Sequence, residues 1–150
     1  MFAGESDHTL DAKHRLAVPR RVLDALAPDE RTEVAVARGT QGCLFLYTRS
    51  LYRLVEQGIT PSLLGTGDEG RLERVFYSSV HWASVDKTGR LTIPVRLLEH
   101  AGIDREVTVV GLPNRIEIWA TDAWRAYITP ALEDYDELAR RMRAVRPDAE

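Results

Sequence analysis

Residues 11–23 read DAKHRLAVPRRVL and residues 86–98 read DKTGRLTIPVRLL, an ungapped match at a spacing of 75 positions. Asp11 aligns with Asp86, Arg15 with Arg90, Leu16 with Leu91, Pro19 with Pro94, Arg21 with Arg96 and Leu23 with Leu98. A second match lies downstream, where Leu44, Leu46, Tyr47 and Tyr52 align with Ile116, Ile118, Trp119 and Trp124. The spacing there is 72, so the loop before the first cluster holds three extra residues. A unit of about half the chain therefore occurs twice, and a pseudo-symmetric protein presenting each functional element twice is expected.

The length of 150 residues is that of one ordinary domain. Two separate cores of about 70 residues would each be marginal, so the halves are expected to share one. A hydrophobic content of 44% is ordinary for a globular chain. No apolar run approaches the ~20 residues that span a bilayer, which predicts a soluble protein with no membrane partner. Residues 1–10 carry Glu5 and Asp7 and lack the apolar stretch of a secretory signal. Cys43 is the only cysteine, which excludes an intramolecular disulfide and favours a reducing cytoplasm. The net charge of -3 argues against a uniformly basic nucleic-acid binder but leaves local patches open. Of the 20 basic residues only Lys13 and Lys87 are lysines, and both fall inside the repeated block.

Each half is expected to run hairpin, short helix, strand pair and longer helix. Residues 82–85 and 90–93 flank Asp86-Lys87-Thr88-Gly89, the chemistry of a tight hairpin turn with Gly where positive φ is needed. Pro94 opens a short helix over 95–100 that Gly102 ends. Val107 and Val109 alternate on one side of Gly111-Leu112-Pro113-Asn114, and Ile116 and Ile118 on the other, the pattern of a second hairpin. The first half predicts a helix over 20–26 after Pro19, strands over 34–37 and 44–47, and a helix carrying Leu51, Leu54 and Val55 capped by Thr48 or Ser50. A Gly-, Thr- and Pro-rich stretch over 58–70 reads as a surface linker, followed by a short amphipathic segment with Leu72, Val75 and Phe76. Thr129-Pro130 is expected to start a terminal helix with Leu132, Tyr135, Leu138 and Met142 on one face and Asp136–Arg140 and Glu137–Arg141 as i,i+4 pairs. That face must pack on its own domain or on a neighbouring subunit.

The chemistry-bearing residues exclude more than they offer. His8, His14, His81 and His100 have no metal-ligand spacing, and Cys43 has no CxxC partner, so no metal and no cofactor are expected. No nucleophile, Walker or dinucleotide pattern is present, and the chain is not expected to be an enzyme. The repeated Asp-x-x-x-Arg stands apart. One reading is local: the Asp caps its own turn and pairs with the Arg. The other is functional, since each copy adds a turn lysine, Lys13 or Lys87, and two basic tips can meet DNA with Lys on phosphates and Arg on base edges.

Both copies, DAKHRLAVP and DKTGRLTIP, closely resemble the D-x-K-G-R-[LI]-x-[IV]-P signature of the MraZ family of tandem SpoVT-AbrB transcriptional regulators. The opening MFAGESDHTLDAK, the stretch AGIDREVTVVGLPNRIEIW and the following Trp124 extend the similarity from residue 1 to about residue 127. The resemblance implies an α+β, β-rich fold, a swapped-hairpin AbrB-like barrel formed by the two repeats with peripheral helices. In that frame residues 1–57 are the first repeat with its following helix, 58–79 a linker and short helix, 80–128 the second repeat and 129–150 a C-terminal helix, all in one shared domain. It further implies a cytoplasmic, nucleoid-associated regulator, usually a repressor, acting on short direct repeats upstream of its own division and cell-wall gene cluster. The partners implied are double-stranded promoter DNA and further copies in a ring-like homo-oligomer, whose linked tips would gain effective concentration despite the acidic average.

Matched to the signature, Asp11, Lys13 and Arg15 carry the first copy and Asp86 and Arg90 the second, with Lys87 one turn position earlier than Lys13. Lys13, Arg15, Lys87 and Arg90 are the expected DNA-binding residues, and Asp11, His14, Asp86 and Gly89 the turn-shaping ones. His14 departs from the signature, which has Gly there, so the first tip is expected to be strained or re-shaped. Two alternatives share the fold: an AbrB-type antitoxin and an oligomeric scaffold that does not touch DNA. The duplicated unit and a helical C-terminus fit the antitoxin poorly, while His14 and the net acidity favour the scaffold somewhat.

Overall fold

The computed structural model describes residues 2–30, 33–59 and 64–145, which fall into two compact units, one ending at Ala120 and one beginning at Thr121. In the first unit the first repeat supplies β1 (Glu5–Thr9), β2 (Arg15–Ala17), α1 (Arg20–Ala25), β3 (Val34–Arg38), β4 (Leu44–Tyr47) and α2 (Arg49–Gly58). After α3 (Gly67–Ser79), the second repeat supplies β5 (His81–Ala83), β6 (Arg90–Thr92), α4 (Val95–His100), β7 (Glu106–Leu112) and β8 (Arg115–Ala120). The architecture is α+β, as the sequence predicts.

The repeats exchange strands. A six-stranded sheet runs β1-β7-β8-β4-β3-β5 and a two-stranded ribbon pairs β2 with β6, every ladder antiparallel. The first strand of each repeat pairs with the third strand of the other, β1 with β7 and β5 with β3. The sheet order therefore reads alike from either end. In the ribbon Leu16 faces Leu91, and in the sheet Phe45 faces Glu117. Both are pairs of repeat-equivalent residues, so a pseudo-two-fold axis passes through both.

Alternation explains the packing. Leu16 and Leu91, exposed by 1% and 0%, point from the ribbon onto the sheet. Leu16, Val18 and Val22 close with Leu46, Val109, Ile116 and Ile118 around a small apolar void. Full burial of each such side chain stabilises by about 1.5–3 kcal/mol, and the residues come from both repeats, so neither half would keep its core alone. On β3 and β4 lie α2 and α3, with Leu51 and Phe76 buried.

Several expectations need correction. The strands of the sheet do not close into a continuous hydrogen-bonded barrel, because β1 and β5 are edges and β2 and β6 form a separate two-stranded sheet. The tight turn at Asp86–Gly89 closes, through Asp86 N–H to Arg90 O, Gly89 N–H to Asp86 O and the bridge Val85–Leu91, but its flanks do not continue as a paired hairpin, since β5 leaves for β3 and β6 for β2. Alternation fixes which face of a strand is buried but not which strand lies beside it. The expected linker over 58–70 is shorter than read: α3 already starts at Gly67, and residues 60–63 lie outside the described residues. Gly67 and Gly70 are poor helix formers, which hides that first turn from a sequence reading. By contrast the β7–β8 hairpin forms as expected, with Leu112 opposite Arg115 across a two-residue loop. The β3–β4 loop, from Gly39 to Cys43, is longer by the three extra residues of the repeat alignment.

The second unit holds α5 (Thr121–Glu133) and α6 (Tyr135–Val145), separated at Asp134. Pro130 therefore does not open the terminal helix; it sits in the last turn of α5, where its missing N–H withdraws one bond just before the break. The Glu137–Arg141 pair forms at 3.7 Å, whereas Arg140 turns to Glu137 at 2.9 Å instead of to Asp136. Leu132, Tyr135, Leu138 and Met142 remain exposed. Among the described residues no helix is long and apolar enough to cross a membrane.

Candidate nucleic-acid interface

Each repeated turn is built by its aspartate. In the first turn Asp11 Oδ1 accepts from the N–H of Lys13 at 2.9 Å and of Arg15 at 3.0 Å, and Oδ2 accepts from Arg15 Nε at 2.7 Å. In the second, Asp86 Oδ1 accepts from the N–H of Thr88 at 2.9 Å and of Arg90 at 3.0 Å, and Oδ2 from Arg90 Nε at 3.1 Å. Asp86 gains one further bond, from the Thr88 hydroxyl at 2.7 Å. The backbone closes identically in both, Asp11 N–H to Arg15 O with His14 N–H to Asp11 O, and Asp86 N–H to Arg90 O with Gly89 N–H to Asp86 O.

These bonds hold both carboxyls below their ordinary range. For Asp86 the largest cause is the Arg90 N–H, followed by the Thr88 hydroxyl. For Asp11 desolvation pushes the other way and is outweighed by the N–H groups of Arg15 and Lys13 and by the Arg15 side chain. The local reading of Asp-x-x-x-Arg is thus fully satisfied by geometry. It also has a functional consequence, because an arginine fixed through Nε has its terminal amino groups left as available donors. Such a buttressed guanidinium loses less freedom when it grips a planar acceptor.

The turns are locked by the strand exchange. Val18 N–H donates to Gly89 O at 2.9 Å, and Ile93 N–H donates to His14 O at 3.0 Å, so each turn is clamped by the other repeat. Because β2 and β6 are antiparallel, the turns lie at opposite ends of the ribbon. Its outward face carries Arg15 opposite Thr92 and Ala17 opposite Arg90. Lys13, His14 and Lys87 are exposed, whereas Arg15 and Arg90 are partly covered. Each turn sums to one positive charge, from Asp, Lys and Arg, on a chain whose net charge is -3.

The eight residues singled out from sequence thus gather into two clusters of four, Asp11, Lys13, His14 and Arg15 at one ribbon end and Asp86, Lys87, Gly89 and Arg90 at the other. His14 takes φ 59° and Gly89 φ 79° at equivalent positions. Sequence reasoning missed what the exchange adds. Arg20 and Asp24 of α1 flank the second turn, and with Leu23 and residues 85–89 they line a groove of about 270 Å3. The first turn's counterpart of Arg20 is Val95. No local signal joins Arg20 to Lys87, since the contact depends on which strands pair. Among the described residues no cluster of three or more His, Cys, Asp or Glu could hold a metal ion.

Comparisons with known proteins find relatives across nearly the whole chain. The MraZ protein family model, whose description calls it antitoxin-like, matches residues 1–71 and 77–145. The protein named transcriptional regulator MraZ of Ligilactobacillus salivarius is 39% identical over 142 residues, covering 95% of this chain and 96% of that one. Proteins of the same name from Lactobacillus delbrueckii subsp. bulgaricus and Pelotomaculum thermopropionicum are 37% and 34% identical, covering 93% and 95% of this chain and 94% and 95% of theirs. With its tandem strand-exchanged repeats, its two Asp–Arg turns and these matches across both halves, the chain belongs to the MraZ family.

Proposed function

We propose that this protein is a sequence-specific DNA-binding transcriptional regulator, a repressor of the division and cell-wall gene cluster. It binds short direct repeats in promoter DNA through the paired basic turns of a ring-like homo-oligomer at the nucleoid. One observation carries the reading: the same Asp–Arg turn is built twice, at the two ends of one exposed two-stranded ribbon, with each Arg held at Nε. A ribbon of this width fits the ~12 Å major groove, where arginine's fork matches the O6 and N7 acceptors of guanine. Lys13 and Lys87 at the turn ends would take phosphates, which position the ribbon without specifying sequence.

The test is a salt-titrated binding assay on duplex DNA from upstream of the protein's own gene. Wild type should bind with a steep fall in affinity as salt rises, because phosphate contacts release counterions. Arg15→Ala and Arg90→Ala should each weaken specific binding by about 1–3 kcal/mol, the size of one bidentate base contact. Since both arginines also brace their turns, melting curves must show the variants folded. Unchanged affinity in a folded Arg15→Ala/Arg90→Ala variant would overturn the assignment. The antitoxin-like description of the family model keeps a second reading in play, in which the same ribbon binds DNA while another surface holds a toxin.

A further inference from the structure

The ribbon's outward face is not symmetric, and the asymmetry is confined to one pair of equivalent positions. Leu16 and Leu91 face the core, so Arg15, Ala17, Arg90 and Thr92 share the opposite face. Arg15 and Arg90 are equivalent; Ala17 and Thr92 are equivalent in place but not in chemistry. The register sets Arg15 beside Thr92 at one end and Arg90 beside Ala17 at the other. Ala17 and Thr92 are both exposed, and among the described residues neither side chain makes a hydrogen bond. Nothing in the fold requires the hydroxyl at one place and its absence at the other.

We infer that Ala17 and Thr92 are specificity-determining residues that give the two arginines different neighbouring-base preferences and so fix the direction in which the ribbon reads DNA. This rests on the DNA-binding reading above. Directly opposed residues in an antiparallel pair have Cβ atoms roughly 4.5–5.5 Å apart, so whichever base edge Arg15 grips, Thr92 meets the same base pair or the next. Two residues along a strand advance about 7 Å at ~3.3 Å each, close to two base-pair steps of ~3.4 Å. The two Arg-plus-neighbour rows therefore address adjacent parts of one short site. Thr92 offers a hydroxyl that can donate or accept beside a methyl, whereas Ala17 offers only a methyl, suited to the C5-methyl of thymine. With two identical rows, the ribbon would read both directions alike at these positions.

The experiment is selection from randomised duplexes by the full-length protein, followed by affinity measurements on single-base variants of the selected site. Four proteins are compared: wild type, Thr92→Ala, Ala17→Thr and the double exchange Ala17→Thr/Thr92→Ala. The three variants change only exposed positions, and the melting temperatures of all four proteins should coincide. Thr92→Ala should lower discrimination about fivefold at the base pair beside the Arg15 contact, the size of one hydrogen bond to a base edge, and leave the Arg90 end unchanged. Ala17→Thr should alter only the Arg90 end. The double exchange should invert the preferred orientation of the site. Identical base preferences in all four proteins, each binding specifically, would overturn this inference and leave the DNA-binding reading standing. A wild type that selects no sequence, with affinity flat in salt, would overturn both.

Discussion

The two turns are one device built on two different tip residues, and the second of them lies under a leucine. At the second tip Gly89 has φ 79°, and a Cβ placed there would lie 2.9 Å from Leu23 Cδ1. At the first tip His14 carries a full side chain at φ 59° and is exposed. Leu98, the repeat equivalent of Leu23, is buried at 3%, whereas Leu23 is only partly buried. The leucine of the second repeat has turned into the core, and the tip of the first turn carries a side chain. The other leans over the second tip, and that tip is Gly. A departure from a signature thus does not mean a broken turn: the Asp-built hydrogen bonds survive the change from Gly to His intact.

The sharpest way to break this comparison is Gly89→Ala. The substitution meets two obstacles at once, a positive φ that L-residues avoid and the tip of Leu23. Left-handed backbone costs a non-Gly residue about 1–2 kcal/mol, and displacing the Leu23 methyl adds to it. Chemical denaturation should therefore show a loss of roughly 1–3 kcal/mol. Trimming the neighbour separates the two causes, because Leu23→Ala should reduce the penalty of Gly89→Ala while leaving its backbone part. A Gly89→Ala protein as stable as wild type would mean that the second tip is no more demanding than the first.

The aspartates give a second contrast, read through pH. Both carboxyls are lowered in the folded protein from a starting value of 3.8, so below that value the unfolded chain binds more protons than the folded one. Their contribution is complete above about pH 4 and is lost as pH falls toward the folded values. Asp86 accepts the additional Thr88 hydroxyl and is held lower than Asp11. Asp86→Asn should accordingly flatten the acid limb of the stability curve more than Asp11→Asn. Equal flattening would show that the hydroxyl adds nothing to the turn.

How much of this was legible in the sequence follows from which interactions are local. The turns, α1 and α4 after their prolines, and the β7–β8 hairpin depend on residues close in the chain, and the repeat displayed them. The MraZ resemblance supplied the exchange of strands, which alternation alone could not. Leu16 and Leu91 announce a buried face, but nothing in RLA or RLT says that these segments pair with each other. The bounds of strand β1 are illegible for another reason. Glu5-Ser6-Asp7-His8-Thr9 is polar throughout because an edge strand held by backbone bonds to β7 needs no apolar stripe. The candidate site followed the same rule. Asp11, Arg15, Asp86 and Arg90 stood out as a repeated spacing, whereas Thr92, Ala17 and Arg20 acquire their significance only from the exchanged partners beside them.

The smallest and most discriminating effect is expected from His14→Gly. The change removes the side chain from a position at φ 59° and so relieves left-handed strain of about 1 kcal/mol, His being among the residues that tolerate this region best. Against this, Gly gives the unfolded chain more freedom, which costs roughly 0.4–1 kcal/mol. The two nearly cancel, and melting should show a gain of at most a few tenths of a kcal/mol by that difference. Binding need not cancel in the same way. The His14 carbonyl is the acceptor for Ile93 N–H, so the backbone of the first tip stays clamped while its exposed ring is lost. If the ring contacts DNA, affinity at the Arg15 end of the site should change while the Arg90 end does not. A marked loss of stability with unaltered binding would show instead that the imidazole braces the turn, and that the two tips differ in structure and not in what they read.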